Sequence, residues 1–143
     1  MRRDNRGYSM TFWAVFIGFV LIPALAFAIE LGRYFYAISE VAKAADAAAV
    51  AASAEINQRT FQSSGSLVPT SKTWANAQSY VSLNTTSLAA KGVYAYVTGI
   101  QVNGGENMVK VNVSANLSIL FPSVVPNITV TQTGIAKIKA LTN

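Results

Sequence analysis

The sequence predicts an α+β chain: one long N-terminal helix of membrane length, then a small antiparallel three-stranded sheet with a short helix. Three observations predict it. No charged residue occurs over 7–29. Nine of the thirteen residues over 42–54 are alanine. Val109, Val111, Val113, Ala115, Leu117 and Ile119 alternate with Lys110, Asn112, Ser114, Asn116 and Ser118, which is the period of a strand buried on one face.

The helix is expected from residue 8 to about 57. At the helical rise the uncharged run is roughly 34 Å long, against about 30 Å for a bilayer core. Phe12, Trp13, Phe16, Phe19, Leu25 and Phe27 have no place on a soluble surface. The run is longer than a signal core, and no clear small-x-small site closes it, so it is expected to be retained. Arg2, Arg3 and Arg6 against Asp4 place the N-terminus inside and the C-terminal domain outside.

Pro23 lacks an amide donor and its ring would crowd the Phe19 carbonyl, so a kink or local loosening is expected there. Ala14 and Gly18 are spaced for close helix contact in lipid, and Ala24, Ala28 and Gly32 continue that spacing. Glu30 with Arg33, and Glu40 with Lys43, sit three apart on the helix. Either they are solvated neighbours or they pair across chains and fix register. The alanines of 42–54, Ala45, Ala49 and Ala52 among them, offer almost no side-chain bulk, and the expectation is that this surface packs against helices of other copies.

The run IELGRYFYAISEVAKAADAAAVAAS resembles the signature of TadE/TadG-like pseudopilins of tight-adherence (type IVc) pilus systems. Glu30, Gly32 and Arg33 fill the Glu-x-Gly-Arg positions, followed by aromatics and alanines. The resemblance covers about residues 6–55 and implies a pilin-like fold with a transmembrane or filament-core helix. It implies a leader cut after a glycine near the membrane, which here is Gly7 before Tyr8. The glutamate usual five residues into the mature chain is replaced by Phe12. Self-assembly through the N-terminal helices into an extracellular filament is implied, as are other pilus components as partners and an adhesive or appendage role. The alternative is a membrane-anchored accessory pseudopilin that does not form the bulk filament.

Three parts are expected: 1–57 as the transmembrane and alanine-rich helix, 58–73 as a linker, and 74–143 as an extracellular α/β head. The linker is rich in Ser, Thr, Gln and Gly. Ser71 is the expected cap of a helix from about 72 to 84, with Trp74 and Tyr80 expected in the core. A strand over 93–102 carries Gly99, which signals a bulge or a close approach. The turn NGGEN at 103–107 joins it to the strand beginning near 109. A loop over 121–126 precedes the last strand, 127–140, with Ile128, Val130, Ala136 and Ile138 on one face.

Catalytic chemistry is not expected. The chain has no histidine and no cysteine, so the commonest general base and metal ligand is missing. No two carboxylates form an acid/base pair, and no glycine loop opens a helix after a strand. Neither a cofactor, a metal nor a small-molecule substrate is expected. The net charge is +5, but no basic stripe with interleaved aromatics appears, so nucleic acid is not an expected partner. Asn84, Asn112, Asn116 and Asn127 each begin an N-x-S/T triplet. Polar alternation along strands accounts for them as readily as a glycosylated outer surface.

Overall fold

The computed structural model describes residues 6–118 and 127–138. The chain divides into two compact units, Met1–Phe35 and Tyr36–Asn143. The boundaries expected at 57/58 and 73/74 do not coincide with this division, because the alanine half of the long helix belongs with the sheet. Arg2, Arg3 and Asp4, the loop over 121–126, and the ends of two expected strands at Ile119, Lys139 and Ala140 lie outside the described residues.

In the first unit, α1 (Arg6–Phe16) runs into a π-helical turn (Ile17–Leu21) and then into α2 (Ile22–Ala54). The Ile22 N–H bonds the Ile17 carbonyl, one residue further back than an α-helix would take it. The loosening expected at Pro23 therefore takes the form of a widened turn just before the proline. A wider turn is a way to relieve the crowding that a regular α-helix would impose between the Pro23 ring and the Phe19 carbonyl.

The second unit begins in the same helix. Ala37, Val41, Ala44, Ala45, Ala48, Ala49, Ala51 and Ala52 are buried. Steps of three and four put them on one helical face. After α2 the chain makes a short helix, α3 (Gln58–Ser64), inside the expected linker. The Asn57 side chain accepts from the Thr60 N–H at 3.2 Å, and Gly65 closes the helix in the left-handed region at φ 67°. The loop then folds back: the Asn57 N–H bonds the Val68 carbonyl at 2.9 Å, and the Thr70 N–H bonds the Glu55 carbonyl at 3.1 Å.

Helix α4 (Thr73–Asn84) and a single turn, α5 (Thr86–Ala89), follow. Ser71 does not cap α4. Lys72 holds the cap position without a side-chain bond, and Thr70 Oγ1 accepts the Lys72 N–H at 3.3 Å instead. Ala77, Val81 and Leu88 are buried, whereas Trp74 and Tyr80, expected in the core, are 49% and 48% exposed. Both aromatics flank the buried stripe of α4 without entering it. Trp74 lines a shallow cleft of about 260 Å³ with Pro69, Ile100 and Val102.

The strands β1 (Ala95–Asn103), β2 (Met108–Leu117) and β3 (Ile128–Lys137) form one antiparallel sheet in the order β1-β2-β3. Val109, Val111, Val113 and Ala115 of the central strand are fully buried. The register of β1 on β2 shifts between Val97 and Gly99, leaving Thr98 as the extra residue of a bulge. The register of β2 on β3 is unbroken, with Val111 opposite Gly134 and Ala115 opposite Val130.

Candidate functional site

The apolar segment is a site by composition and exposure. Its window of highest mean hydropathy, 2.5, has no buried residue, and Phe19 alone is 80% exposed. Side chains this apolar are stable against lipid or against each other, not against water. Ala14, Gly18, Pro23, Ala24, Ala28 and Gly32 are all exposed, and a Cβ on Gly18 or Gly32 would meet nothing within 4 Å. In an unbroken α-helix, Ala14 and Gly32 would be about five turns apart and would share a face. The π turn in effect adds one residue, so the Ala14–Gly18 pair and the Ala24–Ala28–Gly32 row point about 100° apart. They are two small-residue faces rather than one stripe.

Glu30 and Arg33 pair within the chain at 3.1 Å, and Glu40 and Lys43 at 2.8 Å. Glu40 Oε2 also accepts from Ser87 Oγ at 3.2 Å, which ties α5 to α2. The Glu40 carboxyl is held below its ordinary value, first by the Lys43 ammonium hydrogen bond. Burial opposes that shift, while the Ser87 hydroxyl and the charges of Lys43 and Lys91 reinforce it. Lys43 is raised by the same pairing. The Lys91 ammonium lies 4.3 Å from the centre of the Tyr36 ring. The bond between Gly7 and Tyr8, where a leader would be cut, falls in the first turn of α1.

The alanine surface is not free. Ala45, Ala49 and Ala52, expected to pack against other copies, are fully buried within their own unit. A Cβ built on Gly134 would overlap the Ala45 carbonyl and lie 2.6 Å from the Asp46 nitrogen. The sheet therefore reaches the helix backbone itself, and only residues without bulk fit between them. The expectation of an intermolecular alanine seam is corrected: the seam is intramolecular.

The opposite face of the sheet is a polar ladder. Thr133 Oγ1 donates to Asn112 Oδ1 at 2.7 Å, Thr129 Oγ1 to Asn116 Oδ1 at 2.8 Å, and the Ser114 and Thr131 hydroxyls meet at 2.8 Å. Cross-strand polar pairs of this kind each add a fraction of a kcal/mol, about 0.2–1, to sheet stability. Among the expected glycosylation positions, Asn84 spends its amide on the Tyr80 carbonyl at 2.8 Å, and the Asn112 amide lies over Gly99. Asn116 and Asn127 are exposed.

A free apolar helix of membrane length, joined through paired charges and aromatics to an alanine-paved half, is thus on the same chain as a small sheet domain. Residues 7–55 match the family described as putative Flp pilus-assembly TadE/G-like. The match spans the apolar segment and the alanine half and stops before the sheet. No curated protein and no solved structure matches the chain. The TadE/G-like match supports a Tad pilus-related role, and the apolar helix fits membrane anchoring. Among the described residues, no three His, Cys, Asp or Glu side chains gather to hold a metal ion.

Three positions escaped the sequence reading. Gly134 carried a signal, since a glycine inside an alternating strand marks close backbone approach. Gln78 carried none; its side chain bonds the edge of β1 across a distance no local pattern encodes. Glu55 likewise becomes a hub only when 70–76 folds back, accepting from Thr73 Oγ1 through its carbonyl and from Asn76 Nδ2 through its carboxylate.

Proposed function

We propose that the chain is a membrane-anchored, non-enzymatic accessory subunit of a Tad-type pilus-assembly machine. Its apolar helix holds it in the membrane, with the N-terminus inside and the α+β head outside. The observation that carries this reading is the division of labour along α2. The lipid-like segment is bare, while the alanine face that would have served a close-packed helix bundle is covered by the chain's own sheet. Phe12, standing where the resemblance calls for a glutamate, points the same way.

A second reading has its own observation in support. The small-residue faces at Ala14–Gly18 and Ala24–Ala28–Gly32 are exposed, and copies packed through them would form a filament core with the heads outward. Cells expressing the chain, sheared and fractionated, separate the two. The accessory reading expects the protein in detergent-extracted membranes as a monomer or small complex. Regular filaments containing it as the main component in the sheared fraction would replace that reading with the second. Mass spectrometry of the N-terminus in both fractions reads cleavage after Gly7.

A further inference from the structure

The two edges of the sheet differ. On β1, Gln78 accepts the Val97 N–H at 2.8 Å and reaches the Ala95 carbonyl at 3.4 Å, and the bulge at Thr98 interrupts the ladder. Bulges and side-chain cover of this sort are how edge strands are kept from pairing with other chains. Strand β3 has neither. Its ten residues contain no proline, pair with β2 without a register shift, and among the described residues receive no hydrogen bond at the outer edge.

The ladder gives the direction of each backbone group. Ala95 and Val97 aim away from β2, so Tyr96 and Ser114 are the hydrogen-bonded pair between them. Val113 and Ala115 then aim at β3, toward Gln132 and Val130. The outward-aimed residues of β3 are therefore Thr129, Thr131, Thr133, Ile135 and Lys137. Ile138, of the opposite parity, bonds the Asn107 carbonyl at 2.7 Å on the β2 side, in agreement.

We propose that this edge of β3 pairs, antiparallel, with β3 of a second copy of the chain. A two-fold axis at Gln132 sets Thr131 against Thr133 of the second copy, and Thr129 against Ile135. Threonine and β-branched cross-strand pairs of this kind are favourable. Lys137 faces Asn127, and the two Lys137 side chains stand at opposite ends, so no like charges meet. Copies held in one membrane by the 7–29 segment also meet at high effective concentration. The pairing rests on that anchoring and not on the accessory or filament reading, which the sheared fraction tests separately.

The chain has no cysteine, so a cysteine introduced at one position reports only that position. Full-length T129C and I135C chains are mixed in liposomes and oxidised. Hydrogen-bonded antiparallel partners have Cα atoms about 5.5 Å apart, within disulfide range. The expected result is a T129C–I135C disulfide dimer at least several-fold above that given by Q101C on β1. Adding T131P, which removes an outward N–H that an edge strand can spare, abolishes the dimer, whereas T131V retains it. T131K with T133K places like charges across the axis and, with the head still folded at the assay temperature as circular dichroism reads it, lowers the dimer several-fold. The proposal is overturned if Q101C cross-links equally, or if the T131P and T131K/T133K chains still dimerise.

Discussion

Gly134 of β3 lies directly against the Ala45 carbonyl of α2, with no room for a Cβ between them. This contact sets the distance between helix and sheet, and it makes residue 134 more sensitive than its exposed strand neighbours, Thr133 and Ile135. Gly134→Ala is expected to destabilise the head by about 1–3 kcal/mol, the usual cost of forcing a methyl group into a packed core. Thermal unfolding of the full chain in detergent, followed by circular dichroism, reads it. A melting temperature equal to wild type would mean that the helix does not sit on β3.

The alanine seam is tested from the other side by Ala49→Leu. Ala49 is buried within its own unit, and Val50 beside it is 62% exposed. Leucine at 49 is expected to cost about 1–3 kcal/mol of head stability, while Val50→Leu stays within about 0.5 kcal/mol. If A49L leaves melting unchanged but disrupts assembly, the seam is intermolecular after all.

Pro23 is expected to hold the π turn in place. Pro23→Ala returns the missing N–H and removes the ring, favouring a regular α-helix by up to about 3 kcal/mol. Residues before and after the turn would then rotate by about 100° relative to each other, aligning Ala14 with Gly32. Backbone chemical shifts and amide exchange over 17–27 in micelles report the change. Identical values for the two proteins would assign the π turn to another cause.

Glu40 gives the head a pH dependence of known sign. Its carboxyl is held below the ordinary 4.5, chiefly by Lys43. A group lowered on folding contributes stability above its unfolded pKa and loses it as the pH falls through the folded value. Wild-type melting is thus expected to be flat above about pH 5 and to decline below about 4.5, with a shallower decline for Glu40→Gln. Parallel curves for the two proteins would show that the pair contributes nothing, as exposed pairs often do.

How much of this was legible in the sequence depends on whether the signal was local. The alternation from Val109 to Leu117, the turn after Asn103 and the bulge beside Gly99 are properties of neighbouring residues, and the sheet follows from them. The uncharged run and Pro23 likewise foretold the apolar helix and its irregularity. Helix α3 escapes a local reading because Asn57, its N-terminal cap, coincides with the expected end of the long helix, and Gly65, its C-terminal cap, looks like one more loop residue amid serines and glutamines. The fate of the alanines was missed for a deeper reason. A smooth helical face fits any flat neighbour, whether a second helix or a sheet much further along the same chain, and only the folded arrangement says which. Trp74 and Tyr80 went astray because helical spacing locates a stripe but not its width.

The alanine seam has a thermodynamic corollary. Alanine has no side-chain torsions to immobilise, so the helix can be clamped to the sheet with almost none of the rotamer entropy loss that leucine or methionine would incur. What is given up is apolar area per residue. The junction is therefore shallow but stiff, with main chain resting on main chain, and its fit is set by the absence of atoms at Gly134 as much as by the presence of any.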